Sequence, residues 1–197
     1  MQKETKPKLL LMLDIETLGT TERSIMLSVA IKSFELPGFS DTTTEGLEYQ
    51  TNISVASSLL YHRTSDYSTE EWWNAPARKE ARLQMLTDQT NANPLESLRH
   101  LYRALTDLNE RYDVYYFGRG VGSFDLPILS SNMRDVVGES YVQPWKFWQV
   151  MDVRTLFRFS KWAGMEAEPI ETPHSAMADV EKQIAEVQQA WKFISKQ

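Results

Sequence analysis

The sequence predicts an α/β fold, a mixed sheet with helices on both faces. Three observations predict it. A continuous apolar run, Leu9 to Leu13, ends in acid and reads as a buried strand. Two more strand-like runs follow within residues 25–53, close enough for an antiparallel meander. The rest of the chain alternates helical patterns with short β-type runs, the order that builds layered α/β structures.

The elements follow in order. Ile25 to Phe34 reads as the second strand, broken by Leu36-Pro37-Gly38. Leu47 to Ile53 alternates and reads as the third. Ser68-Thr69-Glu70-Glu71 is expected to start a helix with Ser68 as its cap. Asn74-Ala75-Pro76 divides that turn from a helix running to about Leu86. Asn93-Pro94 opens an amphipathic helix with Leu95, Leu98, Leu101, Tyr102, Leu105 and Leu108 on one face. Val114 to Phe117 is the fourth strand, and Asp125 opens the next helix. Phe147 to Met151 reads as a short fifth strand leading into a helix at Asp152-Val153-Arg154. The last helix begins near Ser175, with Val180, Ile184, Val187, Trp191 and Ile194 as its buried stripe.

Residues 1–197 read as one domain, with 1–8 a charged lead-in. The apolar run after it is too short for a membrane span. The chain has no cysteine, which excludes disulfides, thiolate zinc sites and a cysteine nucleophile. That fits a reducing cytoplasm. A net charge of −6 argues against a broadly electrostatic nucleic-acid binder, but not against an enzyme whose acids hold divalent cations.

Four carboxylates and a histidine fall in settings that metal-assisted phosphodiester chemistry requires. Asp14 and Glu16 stand two apart on the first strand, so their side chains share a face. Asp125 arrives on the helix after a neighbouring strand, and Asp179 lies in the first turns of the last helix. Together they offer the hard oxygen ligands that two Mg²⁺ or Mn²⁺ ions take. His174 precedes Asp179 by five residues, and its imidazole suits a general base for water. Alone, each reads more plainly: a solvated strand end, a helix cap, a loop histidine, an acid at a helix start. Asp135 and Asp152 are competing acids for the role of Asp179. The plain readings are independent of one another, so all of them holding together is far less expected than any one.

These residues carry a resemblance to the DEDDh exonucleases, the group containing oligoribonuclease, RNase T and the proofreading subunit of replicative DNA polymerase. The D-x-E-T motif stands as Asp14-Ile15-Glu16-Thr17, F-D as Phe124-Asp125, and H-x4-D as His174 through Asp179. Asp14 to Gly19 followed by Ile25 to Ala30, the pair Trp72-Trp73, and Asp152 to Leu156 resemble the branch of phage exonuclease A and bacterial RNase T-like exoribonucleases. The resemblance implies an RNase H-like fold: a mixed five-stranded sheet, three antiparallel strands and then parallel ones, flanked by helices. It implies 3′→5′ release of nucleoside 5′-monophosphates from the 3′ end of single-stranded DNA or RNA. It further implies two metal ions held by Asp14, Glu16, Asp125 and Asp179, with His174 as base. A phage-type protein would act in the host cytoplasm. Many relatives dimerise, and the sequence leaves a homodimer open. One departure is Gly120-Val121-Gly122-Ser123, where relatives often carry Asn before F-D.

For substrate, the resemblance places Thr17 and Leu18 at the terminal nucleotide, with Leu18 wedged against the last base. Trp72 and Trp73 have the character of base-stacking residues, one buried and one facing the site, and Trp73 is the expected contact. Arg119 is the expected phosphate contact, Arg154 a further candidate, and ion pairing the competing role of both. Trp145 and Trp148 read as packing residues, and His62 and His100 receive no role. Two other readings stand beside this one. An idle binding module on the same fold predicts eroded ligands, yet all five positions are filled. A hydrolase of another phosphate ester is disfavoured by the spacing of His174 and Asp179.

Overall fold

The computed structural model describes residues 6–39, 46–87, 93–166 and 175–196. One five-stranded sheet organises them, in the order β3-β2-β1-β4-β5. β1 (Lys8–Thr17), β2 (Met26–Phe34) and β3 (Glu48–Asn52) form the antiparallel meander, while β4 (Asp113–Gly118) and β5 (Val150–Asp152) run parallel to β1. The mixed RNase H-like sheet expected from the sequence is present.

The helices are α1 (Val55–Leu59), α2 (Tyr67–Asn74), α3 (Pro76–Thr87), α4 (Pro94–Arg111), α5 (Asp125–Val137), α6 (Val153–Trp162) and α7 (Ala176–Ile194). The alternation of β1 sorts them onto two faces. Leu9, Leu11, Leu13 and Ile15 pack with Leu98, Leu101, Leu105 and Leu108 of α4 and with Leu126, Leu129 and Met133 of α5. Leu10 and Met12 pack with Val180 and Val187 of α7 and Val153 of α6. Helices therefore cover both faces of the central strand, which explains its unbroken apolar run. By the same parity, Asp14 and Glu16 share the face of Leu10 and Met12, the α7 side.

β4 pairs with β1 only as far as Met12↔Phe117, while β1 continues to Thr17. A crevice thus opens at the carboxyl ends of β1 and β4, where open α/β sheets bind ligands. Gly118 marks the divergence: a Cβ there would lie 2.6 Å from the Leu13 carbonyl oxygen.

Several local expectations change. Asp66, not Ser68, caps α2; its carboxylate accepts from the Thr69 N–H at 2.8 Å. An acceptor two residues earlier in the chain serves the same orphan donors. α1 had no periodic signal and was not expected. Phe147–Gln149 is a 3₁₀ turn, and the fifth strand is only Val150–Asp152. Ile194 is 40% exposed, unlike Val180 and Val187 of the same stripe. Trp145 packs in the core as expected, whereas Trp148 is largely exposed. Among the described residues no helix is long and apolar enough to cross a membrane.

Candidate active site

β1 carries the first two acids into the crevice. Asp14 lies opposite Ala30 and Glu16 opposite Ser28, after which a bulge between Glu16 and Thr17 ends regular pairing. α7 supplies the third. Ser175 caps it, accepting from the Ala178 N–H, and this starts the helix one turn before Asp179. One ligand atom each from Asp14, Glu16 and Asp179 lie within 4.8 Å of one another.

Asp125 stands against this trio. It is 3% exposed at the start of α5, and its Oδ2 has no hydrogen-bond partner among the described residues. A buried carboxylate oxygen left without a donor is expensive unless a cation faces it. The donors are all hard oxygens of the kind Mg²⁺ and Mn²⁺ take, so the residues present fit such ions.

Electrostatics agree. Burial, then the charges of Asp125, Glu16 and Asp179, push the Asp14 carboxyl well above the usual range, against a lowering hydrogen bond from Gln183. Glu16 is pushed up to about 8 by burial and by Asp179 and Asp125. Asp125 is pushed up to about 7, mainly by burial, with backbone hydrogen bonds and Arg154 opposing. Carboxylates this close oppose one another's ionisation, and a cation among them would relieve that opposition.

A pH dependence follows. Carboxyls raised in the folded state bind protons that the unfolded chain releases near its ordinary values of 3.8 and 4.5. Metal-free protein is therefore expected to lose stability as pH rises from about 4.5 towards 8. Added Mn²⁺ should reverse that trend, since ions bind the deprotonated set. Thermal denaturation at both ends of the window, in EDTA and in Mn²⁺, checks it.

Gln183 has no counterpart in the sequence reading. It is 2% exposed, one helical turn after Asp179. Its amide donates to Asp14 Oδ1 at 2.8 Å and accepts from the Arg119 N–H at 2.8 Å. It thus fixes the orientation of Asp14 and ties it to the loop that delivers Asp125. Groups that orient metal ligands typically contribute tenfold to a hundredfold in affinity. Gln183→Leu is expected to weaken Mn²⁺ binding by about that factor, measured by calorimetry.

The remaining expectations fare unevenly. Thr17 is buried, donating from Oγ1 to the Gly19 carbonyl at 2.6 Å. Leu18 is 6% exposed and packs with Ile25, Leu27, Trp73 and Met85, so its side chain is a core residue rather than a wedge. Trp73 is 1% exposed, and its indole N–H donates to the Thr17 carbonyl at 2.8 Å. Burial and a committed N–H make Trp73 a support for the strand end, and it also lines the cleft beside Glu16. Trp72 is the exposed member of the pair, with Arg78 4.0 Å over its ring. For Arg119 the competing role, ion pairing, is the one seen. Its guanidinium is bound by Glu186, its Nε at 3.2 Å. The competing acids have structural work. Asp135 pairs with Arg23 and Arg63, and Asp152 caps α6 through the Arg154 and Thr155 N–H groups. His174 lies outside the described residues.

Beside Glu16 opens a cleft of about 360 Å³, lined by Thr17, Thr20, Ser68, Thr69, Trp72 and Phe124 among others. It joins the Glu16 carboxylate, hydroxyls and aromatic rings in one recess.

Comparisons with known proteins match this architecture. Residues 10–191 match the family described as the 3′-5′ exoribonuclease Rv2179c-like domain. The chain is 25% identical over 159 residues to an exodeoxyribonuclease of Enterobacteria phage T4, covering 73% of this chain and 68% of that protein. Among solved structures it is similar to E. coli exonuclease I. The zinc-bound complex of that enzyme with single-stranded DNA superposes with a TM-score of 0.65 at 15% identity, over 97% of this chain and 43% of the other. Its complex with a dT13 oligonucleotide gives 0.65 at 14%, over 96% and 42%. The chain spans less than half the length of those exonuclease I chains, and at such identity the likeness concerns the fold.

Proposed function

The chain belongs to the Rv2179c-like family of 3′-5′ exoribonuclease domains and is a 3′-5′ exonuclease; from that premise we propose that it hydrolyses single-stranded nucleic acid to nucleoside 5′-monophosphates with the aid of two divalent metal ions. The observation that carries the reading is the convergence of Asp14, Glu16 and Asp179, with the buried, unpartnered oxygen of Asp125 behind them.

Asp14, Glu16 and Asp179 would hold one ion, and Asp14 with Asp125 the second. When bound, Mg²⁺ or Mn²⁺ supplies Lewis acidity towards the attacking water and the phosphate oxygens. The protein's own part is placement. Gln183 holds Asp14, and the rigid end of β1 keeps Asp14 and Glu16 on one face. His174, one residue before the cap of α7, is the proposed general base; the H-x4-D pattern supports this. The cleft beside Glu16, which Trp72 helps to line, would receive the terminal nucleotide.

Relatives support both sugars. The family is described by ribonuclease activity, the phage relative is an exodeoxyribonuclease, and exonuclease I is recorded with single-stranded DNA. The test therefore runs both. Incubation of 5′-labelled single-stranded DNA and RNA with Mn²⁺ is expected to give a ladder shortening from the 3′ end, abolished by EDTA. Intact strands of both kinds, or cleavage indifferent to EDTA, would refute the proposal.

A further inference from the structure

α6 carries a feature that the catalytic site does not use. Arg154, Arg158 and Lys161 recur at helical spacing and are all exposed. With Phe157, Arg119 and Glu186 they line a cleft of about 300 Å³. Glu186 is taken by Arg119. Among the described residues no carboxylate forms an ion pair with Arg154, Arg158 or Lys161. Three cations along one groove run against the balance of a chain whose net charge is −6.

The groove lies beside the loop that leads to Asp125. The Arg154 guanidinium lies 3.2 Å from where a Cβ on Gly120 would stand, on the loop leading to Asp125. Its charge is felt at Asp125, whose pKa it lowers. Asp152 joins the two segments, capping α6 and accepting from the Gly120 N–H at 3.2 Å. From Arg154 to Lys161 the helix rises about 10 Å, roughly three nucleotides at the stacked-strand spacing of about 3.4 Å. Phe157 adds an aromatic face in the same groove, with Lys161 5.0 Å from its ring centroid.

We infer that the Arg154–Arg158–Lys161 face of α6 is a track for the phosphate backbone of single-stranded nucleic acid, holding the nucleotides 5′ to the one being removed. The inference rests on the exonuclease reading for its direction, not for its chemistry. It gives an acidic protein a local means of holding a polyanion, and it makes affinity depend on strand length.

The test compares wild type with an Arg158→Glu/Lys161→Glu variant. Binding of a labelled single-stranded dodecamer is measured in EDTA at several salt concentrations, and hydrolysis of a dinucleotide is measured with Mn²⁺. Each phosphate contact contributes about 0.7 to the logarithmic salt slope of a single strand, so losing two should flatten it by about 1.4. Between roughly 50 and 200 mM salt, wild type should then lose about sevenfold more affinity than the variant. Dinucleotide hydrolysis, which does not reach the track, should be unchanged. Equal dodecamer affinity and slope in both proteins would overturn the inference, as would dinucleotide hydrolysis falling in parallel with dodecamer binding. A wild type that shows the salt-sensitive dodecamer binding but hydrolyses nothing would refute the exonuclease reading and leave the track standing.

Discussion

Replacing Asp14 by Asn is expected to lower kcat/KM for a single-stranded oligonucleotide on the order of a thousandfold without lowering stability. Asp14 is the proposed shared ligand of both ions, and losing such electrostatic support forfeits several kcal/mol, about 4 kcal/mol for a thousandfold. Stability should move the other way. In metal-free protein the Asp14 charge is opposed by burial and by Asp125, Glu16 and Asp179. Asn removes that charge and keeps an oxygen for the Gln183 amide. The variant should therefore melt at or above the wild-type temperature in EDTA while gaining less from Mn²⁺. That pairing marks a site that sacrifices stability for function. Activity and melting temperature falling together would instead place Asp14 among the structural residues.

Trp73→Ala is the second large effect, and it is on folding. The side chain is 1% exposed in the cluster of Leu18, Ile25, Leu27 and Met85. Truncating a buried aromatic of this size costs about 3–5 kcal/mol. Its indole N–H also satisfies the Thr17 carbonyl, immediately after the bulge that ends β1. Trp73→Phe separates the two contributions. It keeps most of the packing but leaves that carbonyl unpaired, at about 1–3 kcal/mol. Because Thr17 follows Glu16, the Phe variant should also lose some activity through a displaced strand end. Denaturant titration gives the first quantity and kcat/KM the second. An Ala variant of wild-type stability would contradict the packing described here.

The contrast between these residues shows what the sequence could disclose. Asp14 and Glu16 were legible because β1 is an apolar run ending in acid, and its period of two fixes which side chains share a face. Asp125 and Asp179 were legible because each opens a helix after a recognisable break. Gln183 was not, because an amide on a helix carries no pattern; its role depends on Asp14 and Arg119, far away in sequence, arriving on either side of it. Arg119 looked like a phosphate ligand until α7 placed Glu186 against it. Leu18 and Trp73 are core residues for one reason. Leu18 adjoins the motif and Trp73 lies 56 residues beyond Thr17, but the two meet where α2 and α3 fold over that end of β1, which no local signal announces. The same helices leave Trp72 exposed, since adjacent helical residues point about 100° apart.

The central claim is that these carboxylates form a metal centre for attack on a 3′-terminal phosphodiester. Anomalous scattering from a crystal grown with Mn²⁺ and a nucleoside 5′-monophosphate tests it most directly. The expected result is two peaks, one touching Asp14, Glu16 and Asp179 and the other touching Asp14 and Asp125, with the nucleotide in the cleft beside Glu16. Density for the nucleotide elsewhere, or no manganese among these four side chains, would contradict it.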